Sequence, residues 1–150
     1  MKAVYQRVSH ASVTVADNTI GKIDQGILLL VGVTTEDTEK EAALLAKKVA
    51  NMRMFSDADD KFNFSVLDIE GAVLAVSQFT LCANCSHGRR PDFLNAARPE
   101  TALPLFNYFV ECLKREGVKD VQTGKFGASM QVELCNEGPV TLILDTNDWK

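Results

Sequence analysis

Apolar and polar residues follow strand-like patterns along most of the chain. Residues 26–33 form an uninterrupted apolar run typical of a buried strand, and residues 72–76 form a second such run. Residues 3–15 are rich in Val with broken alternation, which predicts one or two strands. Further strands are predicted at residues 118–121, 130–134 and 140–144, the last two being joined by a turn at 136–139.

Two other segments repeat their apolar residues with the 3.6-residue period of a helix. The first helix is predicted to begin at Thr38, because Glu41 stands three residues on in the capping-box spacing. The second is predicted to begin near Pro99, with Pro104 close to its first turn, and to end at Gly117. Its apolar stripe consists of Leu105, Phe106, Phe109, Val110 and Leu113.

The order of these elements predicts the fold class. About seven strands outnumber two long helices, and strands and helices do not alternate regularly. We therefore predict an α+β fold, a mixed and partly open β-barrel or sheet covered by two long helices. The 150 residues contain no repeat and no linker, which predicts a single domain over residues 1–150.

Composition and charge narrow the classes of function. The chain is 46% hydrophobic and carries a net charge of −4, which argues against a broad basic surface for nucleic acid but not against a small local contact. No apolar run approaches the roughly 20 residues of a membrane helix, and the N-terminus lacks the pattern of a signal peptide. We predict a cytoplasmic protein with no membrane association and reduced cysteines.

Several common catalytic and metal-binding patterns are incomplete. Cys82 and Cys85 form a C-x-x-C, but His87 does not follow directly as haem attachment requires, and no second Cys pair completes a zinc site. A calcium loop that begins at Asp57 would have Phe62 in place of its glycine and Asp68 in place of its glutamate, so residues 57–61 predict a hairpin turn instead. We therefore expect no bound metal. Arg89 and Arg90 lie in a predicted loop and could bind a phosphate.

Two segments remain as candidates for chemistry. Residues 77–81 read Ser-Gln-Phe-Thr-Leu at the end of a predicted strand, and residues 136–141 read Asn-Glu-Gly-Pro-Val-Thr. The first is either a strand end tied down by hydrogen bonds or a row of donors directed at a ligand carbonyl. The second is either an ordinary turn or a place where the backbone approaches a ligand closely. The residues alone leave both alternatives open.

These two segments together resemble the motif pair of the D-aminoacyl-tRNA deacylases, the D-tyrosyl-tRNA(Tyr) deacylase family. The similarity covers the chain to about residue 144 and leaves residues 145–150 as a polar tail. Weaker matching segments lie at residues 6–8, 11–13, 55–57, 90–91 and 123–127.

The resemblance implies a barrel-like homodimer that acts on the aminoacyl-tRNA 3′ end. Its reaction would be hydrolysis of the ester bond of D-aminoacyl-tRNA, and of glycyl-tRNA(Ala), with no metal and no organic cofactor. It further implies that Gly138 and Pro139 form a Gly-cisPro element supplied across the dimer interface. This backbone wall would exclude L-amino acids, and Arg7 would brace it through its guanidinium.

The resemblance also implies roles for the opposite wall of the pocket. Backbone N–H groups of Phe79 and Thr80 would polarise the ester carbonyl. The segment supplies no base for the Thr80 hydroxyl, so we expect Thr80 to position the substrate while the 2′-OH of the terminal ribose assists attack by water. The substrate-binding residues would be Ser77, Gln78, Phe126 and Met130.

Two alternatives to the hydrolase are open. A non-catalytic RNA-end or translation-factor binding module could keep the same fold without the chemistry. A thiol redox or metal protein could use Cys82 and Cys85, whose role, like that of His87, the sequence does not assign. The intact segments 77–81 and 136–141 favour the hydrolase.

Overall fold

The computed structural model describes residues 1–149. Within that range the chain forms eight β-strands, two α-helices and two short 3₁₀ turns, at Phe79–Cys82 and Thr146–Trp149. The strands and helices, in chain order, are β1 (Lys2–Val15), β2 (Asn18–Ile23), β3 (Gly26–Gly32), α1 (Glu39–Asn51), β4 (Phe55–Ser56), β5 (Phe62–Phe64), β6 (Ala72–Ser77), α2 (Pro99–Arg115), β7 (Val121–Thr123) and β8 (Gln131–Asp145).

Six strands form one mixed sheet around the long strand β1. The sheet order is β2-β1-β3-β6-β7, with β8 paired antiparallel to β1 along most of its length. The pairs β3–β6 and β6–β7 are parallel. A Cβ atom at Gly21 in β2 would lie 2.8 Å from the carbonyl oxygen of Thr123 in β7, so the two ends of the sheet come close together. The sheet is therefore a nearly closed barrel, and the predicted α+β class is confirmed.

The sheet buries both of its faces, which explains its uninterrupted apolar runs. In β3, Ile27 and Leu29 belong to the core between the sheet and the helices, whereas Leu28 belongs to a second core inside the barrel. In β6 the same alternation separates Val73 from Leu74. Both helices lie on the outer face of the sheet and contribute their apolar stripes to the first core. No helix among residues 1–149 is long and apolar enough to cross a membrane.

The predicted helix boundaries are confirmed, with one correction. Thr38 caps α1 in a capping box, since its backbone N–H donates to Glu41 Oε2 at 2.8 Å and its hydroxyl oxygen accepts from Lys40 N at 3.3 Å. The second helix begins at Pro99, but Pro104 lies inside it rather than near its first turn. Proline lacks an N–H, so the carbonyl of Glu100 cannot form its usual bond to residue 104.

Two predicted strand boundaries were wrong. The strand expected at 118–121 is Val121–Thr123, because Val118 packs in the core as part of the turn that ends α2, with its N–H donating to Leu113 O at 3.2 Å. The predicted turn at 136–139 does not reverse the chain, because β8 runs without interruption from Gln131 to Asp145. Gly and Pro, which usually mark turns, here produce a bulge within a strand.

The bulge in β8 is visible in its register with β1. Val8 is opposite Asn136, and Gln6 is opposite Thr141, so β8 contains extra residues between these two pairs. Pairing with β1 continues in the same direction on both sides of the bulge. The bulge therefore presents Gly138 and Pro139 from the edge of the sheet without breaking the strand.

Candidate active site

A cavity of about 530 Å³ opens at the carboxyl end of β6. Its walls come from the ends of β3 and β6, the first turn of α2 and the segment that leads into β8. Five residues that the sequence predicts for substrate binding or catalysis line it together: Ser77, Gln78, Phe79, Phe126 and Met130. The remaining lining residues are mostly small or apolar: Val33, Val76, Ala97, Pro99, Ala102, Gly127, Ala128 and Val132.

Two backbone N–H groups in the turn that follows β6 have no hydrogen-bond acceptor among the described residues, and one of them belongs to Phe79, which lines the cavity. β6 ends at Ser77, and the Gln78 N–H donates to Val31 O at 2.8 Å. The chain then enters the 3₁₀ turn, whose first N–H groups, those of Phe79 and Thr80, have no hydrogen-bond partner within residues 1–149. The predicted strand end therefore becomes a tight turn, and this turn leaves free donors beside the cavity.

Thr80 is exposed and is not among the residues that line the cavity. Its hydroxyl oxygen accepts a hydrogen bond from the side-chain amide of Gln78. An amide cannot remove a proton from a hydroxyl, so the observed partner does not activate Thr80 as a nucleophile. The contact instead fixes the two side chains relative to each other.

The bulge in β8 carries a cis peptide bond between Gly138 and Pro139. Both residues are exposed, and neither lines the cavity of its own chain. Gly138 has φ of +134°, and a Cβ atom there would lie 2.9 Å from Val140 Cγ2 and 3.0 Å from Val140 N. The bulge therefore requires glycine at this position.

Arg7 holds the bulge from the neighbouring strand. Its Nε donates to Glu137 O at 3.1 Å, and its Nη1 donates to Met54 O at 3.0 Å and to Ser56 Oγ at 3.3 Å. The side chain is buried, and its guanidinium lies over the ring of Phe62, 5.7 Å from the centroid. Arg7 therefore joins the bulge to the small β4–β5 hairpin.

Asn136 holds the bulge from within β8, a role that was not predicted from the sequence. Its Oδ1 accepts from Val140 N at 2.9 Å, and its Nδ2 donates to Thr141 Oγ1 at 3.0 Å. One side chain thus bridges the residues on either side of Gly138 and Pro139. The available signal was an asparagine two residues before Gly138, because Asn often bonds the backbone a few residues along the chain.

The candidate thiol site is not assembled. Cys82 is buried, with its Sγ 3.6 Å from Val33 O, whereas Cys85 and His87 are exposed. Both cysteines are free thiols, and burial raises the pKa of Cys82. Among residues 1–149 no group of three or more His, Cys, Asp and Glu side chains is arranged to hold a metal ion.

Two curated relatives of this chain carry the same name. The chain is 55% identical over 146 residues to a D-aminoacyl-tRNA deacylase of Brevibacillus brevis, covering 97% of this chain and 100% of that protein. It is 53% identical over 148 residues to a protein of the same name from Thermus aquaticus, covering 99% and 97%.

Two solved structures share the fold. One, described as a c-Myc DNA unwinding element binding protein, has a TM-score of 0.91 and 44% identity, covering 97% of this chain and 98% of that one. The other, a probable eukaryotic D-amino acid tRNA deacylase, has a TM-score of 0.83 at 15% identity, covering 95% and 97%. The family model for D-Tyr-tRNA(Tyr) deacylase matches residues 4–145. The chain therefore belongs to the D-Tyr-tRNA(Tyr) deacylase family.

Proposed function

We propose that this protein hydrolyses the ester bond of D-aminoacyl-tRNA, and of glycyl-tRNA(Ala), releasing the amino acid and the tRNA. The observation that carries the proposal is the placement of two free N–H donors, those of Phe79 and Thr80, beside a cavity lined by Phe126 and Met130. Family membership supports the same reaction. The reaction as proposed needs no metal and no organic cofactor, and we place it in the cytoplasm, in a single domain.

Different residues at the cavity are assigned to the adenine and to the ester of the substrate. The ring of Phe126 and the thioether of Met130 suit the face of the terminal adenine. Ser77 and Gln78 add polar side chains to the lining of the same cavity. The N–H groups of Phe79 and Thr80 donate to the ester carbonyl oxygen, which gains negative charge as the tetrahedral intermediate forms. Donors that are already in place stabilise that charge without rearrangement.

Attack is assigned to water assisted by the 2′-OH of the terminal ribose. The Thr80 hydroxyl accepts from the Gln78 amide and has no basic partner, so it positions the substrate and does not attack it. The corresponding test compares Thr80→Ala with a tRNA that ends in 2′-deoxyadenosine. We expect the 2′-deoxy substrate to be cleaved poorly and Thr80→Ala to retain measurable turnover; the reverse pattern contradicts this assignment.

Chiral selection is assigned to Gly138 and Pro139 of a partner subunit in a homodimer. Both residues are exposed and lie outside the cavity of their own chain, which suits insertion into a second copy. A backbone wall facing the substrate Cα leaves space for hydrogen or for a D side chain that turns outward. An L side chain would collide with that wall, so the identity of the amino acid need not be read.

The deciding experiment is deacylation of D-Tyr-tRNA beside L-Tyr-tRNA by the purified protein, with Gly-tRNA(Ala) as a third substrate. We expect rapid loss of the D-ester and the glycyl ester and background loss of the L-ester. Equal rates for D and L, or no turnover, contradict the proposal. Sedimentation of the same sample tests the homodimer.

One alternative has a specific observation in its favour. A protein 44% identical to this chain is described as a DNA unwinding element binding protein, so the fold can be associated with nucleic-acid binding. A non-catalytic binding module would bind the tRNA end without turnover in the same experiment. The intact Ser77–Leu81 segment and the Gly138-Pro139 bulge favour the hydrolase.

A further inference from the structure

Two aromatic rings lie exposed at the edge of the cavity. Phe79 lines the cavity and is nevertheless 55% exposed, so it reaches from the pocket to the outer surface. Its ring centroid lies 5.1 Å from that of Phe93 in an edge-to-face arrangement, and Phe93 is itself 38% exposed. Large aromatic side chains are usually buried, so an exposed pair beside a pocket indicates a binding surface.

A positively charged loop directly precedes Phe93 in the chain. Backbone hydrogen bonds of 2.8 and 3.0 Å between Asn84 and Asp92 close the loop, and Phe93 follows Asp92 in the chain. Within the loop, residues 85–91 include Arg89 and Arg90 and no acidic residue. Both arginines are exposed, and neither forms an ion pair with any residue in the range 1–149.

We propose that Phe79, Phe93, Arg89 and Arg90 form a surface, the aromatic–arginine surface, that binds the single-stranded nucleotides preceding the terminal adenosine of tRNA. The inference rests on the proposed function, which places that adenosine in the adjoining cavity. Bases stack on exposed aromatic rings, and guanidinium groups bind the phosphates between them. Because stacking is tolerant of sequence, one surface serves the common 3′ end of many tRNAs.

Charge and continuity favour this occupant over a second protein molecule. The net charge of the whole chain is −4, so its surface as a whole does not attract nucleic acid. Residues 85–91 differ, because they carry two unpaired arginines and no acidic residue, and they therefore form a local site for an anionic strand. The surface also shares Phe79 with the cavity, so a strand leaving the pocket would pass over the ring pair. A protein partner is the competing outcome in the experiment below.

The test separates this surface from the catalytic cavity by using two substrates. Phe93→Ala and the double variant Arg89→Gln/Arg90→Gln are compared with wild type on D-Tyr-tRNA and on D-tyrosyl-adenosine, which lacks the preceding nucleotides. Matched controls change an exposed phenylalanine and an exposed arginine elsewhere, Phe64→Ala and Arg53→Gln. Far-ultraviolet circular dichroism checks that every variant folds.

We expect kcat/KM on D-Tyr-tRNA to fall about tenfold in each surface variant, mainly through KM, and to change less than twofold on D-tyrosyl-adenosine. The double variant should also weaken the salt dependence, lowering the slope of log(kcat/KM) against log[salt] by about 1.4, or about 0.7 for each lost phosphate contact. Equal losses on both substrates, or full activity on tRNA, overturn the inference.

A binding measurement distinguishes failure of this inference from failure of the proposed function. A fluorescent oligonucleotide ending in CCA is titrated into wild type and the same variants without any turnover. Weaker binding by the surface variants alone supports the aromatic–arginine surface even if D-Tyr-tRNA is not cleaved. Unchanged oligonucleotide binding, or a change in sedimentation of the surface variants that indicates a protein interface, overturns it.

Discussion

The Nε atom of Arg7 in β1 donates to the main-chain carbonyl oxygen of Glu137 in β8 at 3.1 Å. This bond joins a residue near the start of the chain to the residue directly before Gly138. The same guanidinium donates to Met54 O and Ser56 Oγ, so one buried side chain fixes the bulge against the β4–β5 hairpin. The position of the bulge therefore depends on a planar group with several donors.

Replacing Arg7 by Lys should disturb both stability and selectivity. An ammonium cannot reproduce three bonds in the geometry of a guanidinium, so we expect the free energy of unfolding to fall by about 1.5–3 kcal/mol. Deacylation of D-Tyr-tRNA should fall at least tenfold. Urea unfolding and single-turnover assays measure the two effects. Exposed Arg53→Lys is the matched control, and equal behaviour of the two variants contradicts this role.

Two glycines with positive φ give a paired test of the bulge. Gly138 has φ of +134° and no space for a Cβ atom, whereas Gly88 has φ of +63° and nothing within 4 Å of the same position. Gly138→Ala should destabilise the protein by more than Gly88→Ala, with about 1–3 kcal/mol for the backbone conformation alone. It should also raise hydrolysis of L-Tyr-tRNA relative to D-Tyr-tRNA. Thermal unfolding measures the loss of stability, and the D-to-L rate ratio measures the loss of selectivity. Identical results for Gly138→Ala and Gly88→Ala would contradict a specific requirement for glycine at position 138.

Asn136→Ala should loosen the bulge without altering the cavity. The substitution removes the acceptor for Val140 N and the donor to Thr141 Oγ1, which costs about 1–3 kcal/mol if the N–H stays buried and unpaired. We expect the D-to-L rate ratio to fall several-fold while KM for D-Tyr-tRNA changes little. Asn18→Ala, which removes an exposed bond to Ala16 O, is the control. An unchanged D-to-L rate ratio in Asn136→Ala would show that the two hydrogen bonds of Asn136 have no part in chiral selection.

The β4–β5 hairpin should lose support in acid because of Asp57. Hydrogen bonds from the N–H of Lys61, and then from Asp59 and Asn63, lower the pKa of its carboxyl. A pKa lowered by folding means that the carboxylate stabilises the hairpin above its unfolded pKa of about 4 and loses this effect as the pH falls through the folded pKa. The stability gap between wild type and Asp57→Ala should therefore be constant above about pH 5 and shrink below about pH 4.

Urea unfolding from pH 3 to pH 7 measures that gap. Asp59→Ala serves as the control, because the Asp59 side chain lies exposed in the same turn. A gap between wild type and Asp57→Ala that stays constant down to pH 3 contradicts the assignment.

The four cysteines should separate into two reactivity classes. Cys85 and Cys135 are exposed, whereas Cys82 and Cys112 are buried. Burial raises the pKa of Cys82, so at any given pH less of it is thiolate, the reactive form. Iodoacetamide at pH 8 should label two thiols in the native protein and four after denaturation, as counted by mass spectrometry. The variant Cys82→Ser/Cys85→Ser should keep full deacylase activity; its loss would revive the thiol hypothesis.

Sequence patterns predicted the elements best where burial follows a simple period. The continuous run at residues 26–33 indicated a strand because β3 is covered by helices on one face and by the barrel core on the other. The pairing of Thr38 with Glu41 located the start of α1, since both partners lie within one turn. Such local relationships can be read without knowing the tertiary structure.

The candidate site was predictable only in part, because its contacts join distant segments. Motif matching singled out Arg7 and Gly138, but no local pattern reveals that Arg7 also bonds Met54 O, which depends on how the hairpin packs. The Gly138-Pro139 pair predicts a chain reversal because turn propensity is a local property, whereas pairing with β1 keeps β8 extended on both sides of the pair. No sequence pattern indicates that α2 lines the cavity. Its lining residues, Pro99 and Ala102, are common in the first turn of any helix.

The continuity of β8 has a consequence for when the bulge acquires its shape. Ladders to β1 hold the strand both before and after Gly138, so the bulge cannot open unless the sheet opens with it. A loop of the same composition at the end of a hairpin would fluctuate independently and would settle only on contact with its ligand. Here the bulge takes its shape as the sheet folds, so the D-over-L selectivity proposed for it should persist on heating until the whole domain unfolds.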